Sequence, residues 1–122
     1  MNRVNNLLEK ANKSLSDNKL IDTDTKKITD NVYDGYLAGF GPAVITAGLL
    51  PTIATYVANP KREKVMDAIA EVANIKNGIR KGKDLLDECL NSSNAAHLDN
   101  WKVKIVDASV ALKLMVRTYN LQ

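Results

Sequence analysis

Apolar residues recur at helical spacing along nearly all of the chain, without the sustained alternation that a half-buried strand requires. Val4, Leu7, Leu8, Ala11 and Leu15 share one side of a first helix predicted over Asn5 to Ser14, which stops in the turn-forming cluster Ser16-Asp17-Asn18. Asp22 to Asp24 supply N-cap candidates for a second helix, on which Ile28, Val32 and Tyr36 follow at a helical interval. Tyr33, Leu37 and Phe40 widen that face, and Gly39 and Gly41 are expected to end it. Pro42 suits the first position of a short third helix, where a missing N–H costs nothing. Gly48 permits a turn or a close approach, and Pro51 can open a further short helix reaching Val57.

Asn59-Pro60 is a second start signal, Asn as cap and Pro as the first helical residue. The helix after it places Val65, Met66, Ile69, Val72 and Ala73 on one face. Gly78 and Gly82 bracket a loop carrying Ile79-Arg80-Lys81, and a shorter helix, Lys83 to Leu90, presents Leu85, Leu86 and Cys89. Asn91 to Asn94 reads as a linker, and Asp99 as the cap of the last helix. There Trp101, Ile105, Ala108, Leu112, Met115 and Tyr119 alternate steps of four and three in a continuous seam. The expected fold is all-α, a single compact bundle of about five to seven helices over residues 1–122 with a long C-terminal helix. Its predicted core is Ile28, Val32, Tyr36, Phe40, Pro42, Ile45, Gly48, Leu49, Ile69, Trp101, Ile105 and Leu112.

From Tyr36 to Pro60 no side chain is charged. A stretch of that length could span a bilayer, which takes about 20 apolar residues. Gly39, Gly41, Pro42, Gly48 and Pro51 would interrupt such a helix repeatedly, and the amphipathic helices around it would lose the partner their apolar faces need. A buried core is therefore the favoured reading. The single Cys89 cannot form an internal disulfide, and the polar start of the chain does not resemble a signal peptide, so a reducing cytoplasm is the expected location.

Charge adds one feature. Residues 1–60 are balanced, whereas residues 61–83 carry seven basic groups against three acidic ones. Lys61, Arg62 and Lys64 open a helix, where cations oppose the macrodipole, and Arg80, Lys81 and Lys83 cluster at its far end. Two readings stand open, a solvated charged face and a sequence-independent phosphate-binding surface. On the second, Arg80 and Lys81 rank ahead of Lys10 and Lys13 as RNA contacts. The composition shows no catalytic motif, and neither a metal site nor a cofactor is expected. His97 reads as a helix-start residue, and Cys89 and Trp101 as core. The chain is thus expected not to be an enzyme.

Tyr36 to Gly41, then Pro42-Ala43-Val44-Ile45, then Gly48-Leu49, then an apolar helix with Ala54 and Tyr56 resembles the small helical (fifth) subunit of the Cmr complex, the type III-B CRISPR RAMP-module effector. The likeness covers most of Ile28 to Arg62 and, loosely, the last helix with Arg117; Pro51 departs from the family pattern. It implies a non-enzymatic subunit of an antiviral ribonucleoprotein. Such subunits stack along a backbone filament, beside other RAMP subunits and further copies of themselves, and help hold guide and target RNA. The basic residues that could serve there are Lys61, Arg62, Lys64, Arg80, Lys81, Lys83 and Arg117. The alternative is a stand-alone helical adaptor that binds a partner protein and no nucleic acid.

Overall fold

The computed structural model describes residues 3–92 and 94–119. It is all-α apart from one minimal hairpin: α1 (Leu8–Asp17) after a short 3-10 turn (Asn5–Leu7), β1 (Ile21–Asp22), β2 (Lys27–Ile28), α2 (Val32–Ala47), α3 (Leu49–Val57), α4 (Pro60–Ala73), α5 (Gly82–Asn91) and the long α6 (Ala95–Val116). α6 packs against α1, α2 and α4, while α3 and α5 close on α4 from the other direction. Phe40, Leu15, Ile53, Met66, Ile69, Leu85, Ile105 and Leu112 are among the largest side chains fully withdrawn from solvent.

Three departures from the predicted elements have local causes. The aspartates after α1 do not cap a helix. Asp22 Oδ1 instead accepts from the backbone N–H of Asp24 at 2.9 Å, an Asx-turn, and Lys26 takes a left-handed φ of 58°. The chain folds back, pairing Ile21 with Ile28 and Asp22 with Lys27 in an antiparallel ladder. Ile28 is buried, but from a strand, and the helix begins only at Val32, whose N–H donates to Asp30 Oδ1 at 3.1 Å. Val32 then falls on the outer side of α2, 37% exposed, and is not a core residue.

Pro42 does not open a new helix; it lies inside α2. The ring forfeits one backbone hydrogen bond, yet Phe40 and Val44 on either side of it are buried and hold both halves in line. Pro42 itself faces outward and is exposed. The same continuity turns Ile45 to solvent, 81% exposed, so the residue expected at the centre of the core lies on the surface. The break comes at Gly48, where a φ of 95° is open to glycine and strained for other residues. Gly48 and Leu49 are only partly covered, as are Tyr36 and Trp101, both of which pack on the edge of the core.

Asn59 caps α4 as expected, its Oδ1 accepting from the N–H groups of Lys61 and Arg62 at 3.1 Å each. α6 starts earlier than expected. Asn94 caps it, accepting from Ala96 and His97 N–H, and Asp99 lies inside the helix. The N-terminus of α5 is capped from another element: Asp67 Oδ1 on α4 accepts from Gly82 N–H at 2.7 Å. A Cβ on Gly82 would come within 2.8 Å of Met66 Cγ, so the absence of a side chain is what lets α5 approach α4. Among the described residues no helix is long and apolar enough to cross a membrane.

Candidate nucleic-acid interface

The basic excess between Lys61 and Lys83 does not form one surface. Lys61 Nζ donates to Asp30 Oδ2 at 2.7 Å, a bond that holds Lys61 above and Asp30 below their ordinary pKa values. The Arg62 guanidinium lies 4.7 Å from the Tyr36 ring centre and 5.8 Å from that of Tyr56, a cation–π arrangement that anchors it against α2 and α3. Lys81 stands 3.9 Å from Asp67 and Lys83 3.8 Å from Glu63. Lys76 is bonded to Glu88. Arg117 Nε sits 3.7 Å from Asp34 Oδ1, an oxygen closed to solvent and without a hydrogen-bond donor among the described residues. Exposed pairs of this kind stabilise the fold by only about 0–1 kcal/mol each, but they cancel the local field a polyanion would feel. Lys64 is exposed and has no ion-pair partner among the described residues.

Arg80 is separated from its sequence neighbours. The left-handed Asn74 (φ 46°) ends α4, and the loop carries Arg80 to a cleft shared with Lys10 and Lys13 of α1. An adjoining depression also includes Lys10 and Asn74 and extends to Lys104 of α6, with the Arg3–Asp107 pair (2.7 Å) at its rim. The alignment is fixed by packing: α1 lies on both α4 and α6, and Ser14 Oγ donates to Ala68 O at 3.1 Å. Lys10, Lys13 and Arg80 therefore line one depression and Lys10 and Lys104 the adjoining one, the two together forming a groove, and none of the four has an ion-pair partner among the described residues. They also surround the C-terminal, negative end of α4, which favours cations there whether or not a ligand binds.

Two carboxylates offset this charge. Glu71 and Asp17 line the same cleft, and burial first, then the neighbouring Asp17, push the Glu71 carboxyl above the ordinary glutamate range. Because the folded value is raised, Glu71's contribution to stability is fully present below its unfolded pKa and is lost as pH rises through the folded one. Glu71→Gln should accordingly raise the melting temperature near pH 7 and leave it little changed near pH 4, as read by thermal denaturation across about pH 4–7. An equal shift at both ends would mean that the charge of Glu71 is not what penalises the fold.

The remaining candidate chemistry is sparse. Cys89 is buried, and its thiol is pushed up to about 11 by burial and by Glu88. No group of three or more metal-ligating side chains occurs among the described residues. Of the seven basic residues singled out in the sequence, only Arg80 reaches the groove. Lys10 and Lys13, one helical turn apart on the polar side of α1, carried a visible but weak signal, and Lys104 carried none. Compared with family models, curated proteins and solved structures, the chain matches none.

Proposed function

We propose that the protein is a non-catalytic, RNA-contacting helical subunit, and specifically the small structural subunit of a type III-B CRISPR (Cmr) ribonucleoprotein acting against foreign RNA. The observation that carries RNA contact is the convergence of Lys10, Lys13, Arg80 and Lys104 on one groove without ion-pair partners. Four cations from three parts of the chain suit a phosphate backbone better than a single small anion, and nothing beside them reads base edges. The subunit class rests on the resemblance over residues 28–62. Those residues form one packed unit: Tyr56 donates its hydroxyl hydrogen bond to Tyr36 O at 2.7 Å, and Phe40 meets Tyr56 edge-on at 5.3 Å.

A second reading, a helical adaptor for a partner protein, is favoured by the exposed apolar groove between α2 and α6, where Ile45, Val103 and Val106 meet. Affinity purification of a tagged copy from its host separates the two. Co-purification of RAMP-type subunits with short RNAs is expected. A single protein partner retained after nuclease and high salt would instead establish the adaptor.

A further inference from the structure

His97 and Trp101, one turn apart at the start of α6, face each other as near-parallel rings, 5.9 Å between centres and 29° between planes. Trp101 is only partly buried, and His97 is exposed. Both line a cleft of about 360 Å³ whose other walls are Lys76, Glu88, Asn91, Ser92 and Asn94. That volume falls within the range of about 300–1,000 Å³ typical of small-molecule sites.

We propose that this cleft takes one unpaired base of a single-stranded RNA, which extends the His97–Trp101 stack. Stacking on aromatic faces is how single-stranded bases are commonly held, since every base has a π-face. The two rings already stack on one another, and the exposed His97 keeps a face open on which a base adds. The polar wall suits a base edge. Asn94 Oδ1 is committed to the N–H groups of Ala96 and His97, which leaves its amide N–H2 as donor. The Asn91 side chain offers both a donor and an acceptor. Glu88, bonded to Lys76, disfavours a free nucleotide dianion and favours a base that arrives on a strand held elsewhere. Two groove residues lie close in sequence to residues of the cleft: Asn74 stands two before Lys76, and Lys104 three beyond Trp101. The inference rests on the RNA reading of that groove.

Trp101 is the only tryptophan, so its emission reports this cleft alone. The full chain is titrated with a labelled oligoadenylate of about ten nucleotides, following label anisotropy and tryptophan emission together, and separately with adenosine. Quenching of Trp101 is expected with the same midpoint as the anisotropy rise, and adenosine should quench only at far higher concentration. His97→Ala and Asn91→Ala, both at exposed side chains, should each weaken the oligonucleotide about three- to tenfold and leave the melting curve unchanged. Anisotropy without quenching, or variants that bind as the parent does, would overturn the base site and leave the groove standing. Quenching by adenosine with no oligonucleotide binding would overturn the groove and keep a stacking site. Neither signal would overturn both.

Discussion

Reversing Lys10 and Lys13 to glutamate is expected to weaken RNA binding by about 30- to 100-fold near 0.1 M salt and to lower the slope of log K against log salt by about two. Each lysine that neutralises a phosphate releases counterions, and removal of two such contacts accounts for most of the loss; repulsion by the new carboxylates supplies the rest. Lys81→Glu with Lys83→Glu should cost less than about threefold, because these lysines already face Asp67 and Glu63 at 3.9 and 3.8 Å. Anisotropy titrations of a short labelled RNA at several salt concentrations measure both quantities. Equal losses from the two double variants would show that the groove is not the binding surface. The expectation reverses the sequence-based ranking for Lys81, which stood ahead of Lys10 and Lys13, while Arg80 keeps its place in the groove.

Phe40→Ala should destabilise the fold by about 3–5 kcal/mol, a fall in melting temperature of well over 10 °C for a chain of this size. Phe40 is fully buried, and its ring lies at 86° to that of Tyr56, so truncation loses transfer energy and an edge-on aromatic contact and leaves a cavity. Ile45→Asp, five residues on, should stay within about 0.5 kcal/mol of the parent, because the side chain is already in water. Chemical denaturation of the two variants compares them directly. A large loss for Ile45→Asp in the isolated chain would mean that its exposed face is covered, for instance by a second copy.

The pair shows how far hydrophobic pattern carries. Both residues belong to one uncharged stretch, and pattern alone marked both as core. Where charges flank the apolar positions, as in α4 and α6, the buried side was correctly marked by Val65, Met66 and Ile69, and by Ile105 and Leu112. In α2 no charged residue after Asp34 points out the solvent side, so the facing depends on how the helix meets α6. Continuity through Pro42 mattered equally, since a break there would have reset the phase of everything after it.

Local chemistry that acts within a few residues was legible in the Asn59-Pro60 start, the turn at Gly48 and the loop bracketed by Gly78 and Gly82, whereas Gly39 and Gly41, expected to end a helix, lie inside α2. The hairpin was missed because an aspartate before a turn can cap a helix or close an Asx-turn, and the choice at Asp22 lies with the pairing of Ile21 and Ile28.

By itself the sequence determined the helical class, the N-cap of α4, the extent of the apolar stretch and the supply of cations, because each depends on interactions between near neighbours along the chain. Only the tertiary structure decided which cations meet carboxylates and which stand together in the groove. Coulomb energy falls with distance in space, not with separation in sequence. Lys61 and Lys81 sit in the basic segment yet face Asp30 and Asp67, while Lys10 and Lys104, from opposite ends of the chain, share a groove.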